Sequence, residues 1–116
     1  MVRLIRAARN NYRGLRVAFR TQAAIRQEIA ALALAVPAAF LVTPLALERL
    51  LLIGVVLMGI TIELLNTAIE QLCDCFTREE DERIRRIKDL GSAAVGIGLL
   101  LAAATWTVAI GQKLWR

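Results

Sequence analysis

The sequence predicts an all-α integral membrane protein, with three transmembrane helices behind an amino-terminal amphipathic surface helix. Hydrophobic residues make up 58% of its 116 positions and mean hydropathy is +0.57, more apolar surface than a globule of this size can hide. The charged 22% is segregated from the apolar runs, and those runs are long enough to cross a bilayer. A soluble apolar bundle is the competing reading, and the segregation of charge weighs against it. The length suits a single domain over residues 1–116.

Residues 1–28 form the expected surface helix. On a helical wheel Arg6, Arg9, Arg13, Arg16 and Arg20 fall within about 80° of one another, while Leu4, Ala8, Tyr12, Leu15 and Phe19 share another face. That two-faced pattern suits a helix lying in a membrane interface, with anionic headgroups as partners of the arginines. Nucleic acid is the rival explanation of a sequence pI near 10.2. It is disfavoured because the basic segment adjoins membrane spans and only Tyr12 and Phe19 interleave with it. A secretory leader is disfavoured too, since its basic region would be too long.

Residues 29–47 carry no charge for 19 positions, enough for a first span. Pro37 and Pro44 are expected to kink or end it, and Glu48 and Arg49 to mark a very short turn. A second span is expected over 50–73, apolar to Ile62 and then interrupted by polar groups. A hydrophilic loop follows over 74–89, and a third span over 90–112. The third span opens on small residues, Gly91, Ser92, Ala93, Ala94, Gly96 and Gly98, which let helices approach closely in lipid. Three helices enclose little by themselves, so a homo-oligomer is expected.

Basic residues set the orientation. Seven lie in the amino-terminal segment and five in the 74–89 loop, against Arg49 in the first turn and Lys113 and Arg116 in the tail. The positive-inside rule places the amino terminus and the 74–89 loop in the cytoplasm. Trp106 and Trp115 then fall toward the opposite interface. Cys73 and Cys75 point about 200° apart on a helix, which excludes a simple intrahelical bridge. The chain has no histidine, which argues against zinc. Both cysteines are read as packing residues.

The second span holds the chemistry. Glu63, Asn66 and Glu70 are spaced i, i+3, i+7 and Asp74 continues at i+11, a stripe about 80° wide. A charge within a bilayer costs on the order of 3 kcal/mol, so such residues are rare and usually functional. A purely structural hydrogen-bond network between helices is the plainer alternative. Lys88 and Asp89, at the mouth of the third span, belong to the same membrane face in the predicted orientation. Carboxylates suit Mg²⁺ bridged to phosphate oxygens, a lysine supplies positive charge, and a free carboxylate can accept a hydroxyl proton. These parts suit phosphoryl transfer. On physics alone, a proton relay or an ion channel would want the same carboxylates. A GxxxxGK[ST] loop and a GxGxxG motif are absent, which excludes a conventional P-loop or protein-kinase site. The acidic run Glu79-Glu80-Asp81-Glu82 reads as a solvated loop.

The segments RGLRVAF (13–19), AAIRQE (23–28), IELLNTAIEQLCD (62–74) and KDLGSAAV (88–95) resemble the prokaryotic diacylglycerol kinase family, which includes undecaprenol kinases. The string E-x-x-N-x-x-x-E-x-x-x-D, followed after 13 residues by K-D-x-G-S-A-A, is highly specific, and the similarity covers nearly the whole chain. The resemblance implies a homotrimer in the bacterial inner membrane, MgATP-dependent phosphorylation of a membrane lipid, and sites shared between subunits at the cytoplasmic interface. It implies that Glu63 is the general base, that Glu70 binds the metal, and that Lys88 contacts the phosphates. Asn66, Asp74 and Asp89 would complete the nucleotide and active-site network. One departure stands out: before Ala23-Ala24, where the family usually has a metal-binding glutamate, this chain has Gln22. An amide oxygen still ligates Mg²⁺ but removes a full negative charge, so weaker metal binding, or compensation by an acid such as Glu28, is expected. Diacylglycerol is the leading substrate and undecaprenol the close alternative. A small channel or a non-catalytic membrane subunit are the readings of another class.

Overall fold

Four helices account for nearly all of the described residues of the computed structural model, which are 1–76, 79 and 81–115: α1 (Val2–Thr21), α2 (Ala23–Val42), α3 (Ala46–Phe76) and α4 (Glu82–Trp115). Glu80 of the acidic run and Arg116 of the basic tail lie outside the described residues. The last three helices are each long and apolar enough to cross a membrane. α3 is central, packing on α2 and on α4, while α4 meets α2 lightly and α1 packs on α2.

The shared core is thin. Ile25 and Leu52 are its largest fully enclosed side chains, joined by Ala18, Ala35, Ala39, Ile60 and Cys73. Enclosing Ile25 and Leu52 contributes about 1.5–3 kcal/mol each. Most large apolar side chains point outward instead: Leu34, Leu41, Leu50, Ile97 and Leu100 are all exposed. In the apolar stretch of α4 no residue is buried at all. A chain so arranged relies on lipid, or on other copies of itself, to cover what it cannot cover alone.

Three boundaries depart from the sequence expectation. The helix expected over 1–28 breaks at Gln22, whose backbone is extended (φ −119°, ψ 112°), so residues 23–28 begin α2. Arg26 makes the break stable. Its guanidinium donates to the Phe19 and Arg20 carbonyls at 2.9 and 3.2 Å, satisfying groups that the end of α1 leaves open. Charge in Arg26-Gln27-Glu28 marks depth in the membrane rather than membership of α1.

The first turn falls at Thr43–Leu45, not at Glu48 and Arg49, which belong to α3. Pro37 sits inside α2, whereas Pro44 lies in the connection. Thr43 closes that turn. Its hydroxyl donates to Glu48 Oε2 at 2.5 Å and accepts from the Leu45 amide at 3.2 Å, and its carbonyl accepts from Arg49 Nε at 2.8 Å. The two charges that looked like a turn are its clasp.

The hydrophilic stretch 74–89 is helical at both ends, since α3 runs to Phe76 and α4 starts at Glu82. Hydropathy falls where hydrocarbon ends, but Glu, Arg and Lys remain good helix formers in water. Asp81 caps α4, accepting the Arg83 amide at 2.8 Å, which together with the Arg83 guanidinium holds its carboxyl below the usual carboxylate range. Part of the acidic run is thus a helix start rather than plain loop.

Candidate active site

Because α3 continues unbroken from Ala46 to Phe76, the stripe read from the sequence stands on one rigid element. Glu63 and Glu70 are half-buried, Asn66 is buried, and Asp74 is exposed. Asn66 Nδ2 donates to Glu70 Oε1 at 3.2 Å, an i→i+4 bond that orients this carboxylate. One turn further on, Lys88 Nζ of α4 donates to Asp74 Oδ1 at 2.8 Å. That ion pair spans 14 positions of sequence and brings the second cluster to the first. Both partners are substantially exposed, so it contributes little to stability. Its importance is where it holds the ammonium. Asp89, the next residue on α4, is exposed and lies about 100° further round the helix.

Gln22 is half-buried at the α1–α2 break. Its backbone serves both helices, the amide donating to the Ala18 carbonyl at 2.8 Å and the carbonyl accepting from the Arg26 amide at 3.3 Å. Among the described residues no hydrogen bond joins its side chain to Glu70. The described residues, moreover, gather no group of three or more His, Cys, Asp or Glu able to hold a metal.

Two oxygens at this end stand out. Asn66 Oδ1 and Glu28 Oε2 are both shut away from solvent without a hydrogen-bond partner. Buried polar atoms are nearly always paired, so each such exception asks for a reason. Glu28 is half-buried on α2 and lies within electrostatic reach of Glu63. The donor set of this region is therefore hard oxygen with an excess of negative charge, the chemistry that Mg²⁺ prefers. Sequence reasoning named Glu28 only as a substitute for a missing glutamate. Its position as the last charge before a long apolar run was the signal available.

Beside the stripe, on the adjacent face of α3, a groove of about 1030 Å³ opens between α1 and α3. Gly14, Ala18 and Thr21 line it from α1, with Leu64, Thr67 and Ala68 from α3. Its mixed lining of apolar surface, hydroxyls and the Asn10, Asn11 and Arg13 side chains suits a molecule with a polar head and an apolar tail. Thr67 and the groove were not foreseen, because the sequence does not fix how α1 lies against α3.

A family model described as prokaryotic diacylglycerol kinase matches residues 9–110. The chain belongs to the prokaryotic diacylglycerol kinase family. It is 42% identical over 106 residues to the diacylglycerol kinase of Escherichia coli (strain K12), covering 91% of this chain and 87% of that one. The diacylglycerol kinase of Pseudomonas aeruginosa is 36% identical over 110 residues, covering 94% and 89%. That of Haemophilus influenzae is 33% identical over 106 residues, covering 91% and 90%. For this family member the matched span takes in Gln22, Glu63, Asn66, Glu70, Asp74, Lys88 and Asp89 together. It is a multi-pass bacterial membrane protein.

Proposed function

We propose that this chain is a diacylglycerol kinase that moves the γ-phosphoryl group of ATP to the free hydroxyl of diacylglycerol, giving phosphatidic acid and ADP. One observation carries the reading. The Lys88–Asp74 pair joins two polar clusters, remote in sequence, at one end of the α3–α4 pair, in a chain 42% identical to a protein named diacylglycerol kinase.

Glu63 takes the hydroxyl proton as the lipid oxygen attacks the γ-phosphorus. The bond from that phosphorus to the β–γ bridging oxygen breaks, ADP departs, and the proton passes from Glu63 to water. The chemistry that Mg²⁺ would supply, when bound, is neutralisation of the charge developing on the phosphates. Glu70, oriented by Asn66, would hold the ion, with Gln22 as a second ligand weaker than a glutamate. Lys88 leaves Asp74 for the nucleotide phosphates, and Asp74 and Asp89 complete the nucleotide side. The groove between α1 and α3 receives the diacylglycerol.

The working unit is a homotrimer. Supporting this are the uncovered apolar face of α4 and a ligand set that a neighbouring subunit or the nucleotide phosphates would complete, since the described residues gather no group of three or more His, Cys, Asp or Glu able to hold a metal. α1 lies in the membrane interface with its arginines toward anionic headgroups. The amino terminus and the α3–α4 connection face the cytoplasm of the bacterial inner membrane, where ATP is available and where the positive-inside rule places them.

The test is turnover. Purified protein in mixed micelles receives labelled ATP, Mg²⁺ and either diacylglycerol or undecaprenol. Labelled phosphatidic acid is the expected product. Labelled undecaprenyl phosphate alone would move the assignment to the related alcohol, and no labelled lipid from either would overturn it.

A further inference from the structure

Gly91 is the one buried residue of α4, and it faces Asn66 of α3. No glycine in the chain has a positive φ, so the backbone does not require glycine here. Space does. A Cβ at position 91 would overlap Asn66 Oδ1 and press on its Cγ at 3.3 Å. Glycines 14, 54, 59, 96 and 111 have open space at the same point, and Gly98 meets only the flexible tip of Ile62, at 3.0 Å.

The overlap falls on the atom that fixes the amide. With Nδ2 donating to Glu70, Asn66 Oδ1 must turn the other way, toward α4. Flipping the amide would set its oxygen against a carboxylate oxygen, so Glu70 dictates which end faces Gly91. Oδ1 is buried without a partner there, which leaves it nowhere to go. A side chain at 91 would rotate Asn66 and withdraw Nδ2 from Glu70.

We propose that Gly91 is a positioning residue for Glu70, acting through Asn66: its bare backbone makes room for the amide that holds the carboxylate ready for its cation. The inference rests on the metal-binding role given to Glu70 above. Partners that orient a metal ligand typically contribute 10–100-fold to metal affinity.

The test uses full-length protein in micelles, with two readouts: the Mg²⁺ concentration for half-maximal turnover, and Mn²⁺ binding followed by electron paramagnetic resonance without nucleotide. Gly91→Ala should weaken both about tenfold, with a thermal midpoint close to the parent's. Gly98→Ala, on the same helix pair but against an apolar tip, should move neither. In an Asn66→Ala background the Gly91→Ala change should add almost nothing, since the overlapped atom is gone and the double variant packs without conflict. Equal shifts from Gly91→Ala and Gly98→Ala would reduce the effect to helix spacing and overturn the proposal. So would effects of Gly91→Ala and Asn66→Ala that simply add, or parental Mn²⁺ binding in Gly91→Ala while Glu70→Gln binds poorly. Parental Mn²⁺ binding in Glu70→Gln would instead remove the metal role of Glu70, and the positioning role with it.

Discussion

The two ends of the helix bundle treat polar groups in opposite ways. At the Thr43 end the polar groups close on one another: the Thr43 hydroxyl on Glu48, its carbonyl accepting from Arg49, Trp106 Nε1 on the Leu52 carbonyl at 3.1 Å, and Lys113 on the Leu41 carbonyl. The Arg49 guanidinium also sits 4.2 Å from the Phe40 ring centroid. At the Glu63 end, Glu28 Oε2 and Asn66 Oδ1 are buried without partners, and two carboxylates lie within reach of each other's charge. Unpaired buried polar atoms cost about 1–3 kcal/mol each. One end closes its polar groups on one another; the other gathers carboxylates and two unpaired oxygens at the candidate site.

Substitutions can test this contrast. The largest effect expected is at Glu63. Glu63→Gln should lower turnover by about 10²–10⁴-fold, the usual contribution of a general base, while leaving thermal unfolding unchanged. Turnover that survives it would deny Glu63 the proton. Arg49→Ala should do the reverse, lowering unfolding stability by about 2 kcal/mol through the lost carbonyl and ring contacts while leaving the apparent Mg²⁺ requirement alone. A changed Mg²⁺ requirement there would erase the division between the two ends.

Gln22→Glu should lower the Mg²⁺ concentration for half-maximal turnover by about tenfold, on the order of 1.4 kcal/mol, by restoring a full charge to the ligand set. No gain in either Mg²⁺ requirement or activity would show that Gln22 is not a ligand. The smallest effect is on the Asp81 cap. Its carboxyl is held below its ordinary value of 3.8, so the stability it lends is present above that pH and fades as pH falls through the lower folded-state value. The protection factors at residues 82–85, with the intrinsic pH dependence of amide exchange divided out, should fall over that acid range in the parent, and be lower but flat with pH in Asp81→Ala.

Much of the frame was legible in the chain, because a bilayer makes hydropathy a direct readout of depth. Three apolar runs gave three spans, and the spacing of Glu63, Asn66, Glu70 and Asp74 gave their common face. Helix ends were less legible. Where α3 passes into water its composition changes and its conformation does not, so residues 74–76 and 82–89 read as loop. The break at Gln22 was hidden for a related reason: it depends on Arg26 reaching back to two carbonyls rather than on any breaker residue. Contacts between helices were the least legible. That Lys88 meets Asp74, or Gly91 meets Asn66, depends on the vertical register of α3 against α4, which no single-helix periodicity encodes.

The unbroken length of α3 has a last consequence. From Leu50 to Glu63 is about 20 Å of helix and from Leu50 to Asp74 about 36 Å, against a hydrocarbon layer of about 30 Å. The helix is therefore a gauge fixed at its Thr43 end, and the polar row is its graduated scale. Host lipids with longer acyl chains would carry the lipid hydroxyl's plane farther above Glu63 and submerge Asp74 as well, while shorter ones would bring that plane down toward Glu63. Catalytic efficiency in such a molecule becomes a property of the surrounding bilayer as much as of the chain, with an optimum where the thickness of one matches the rise of the other.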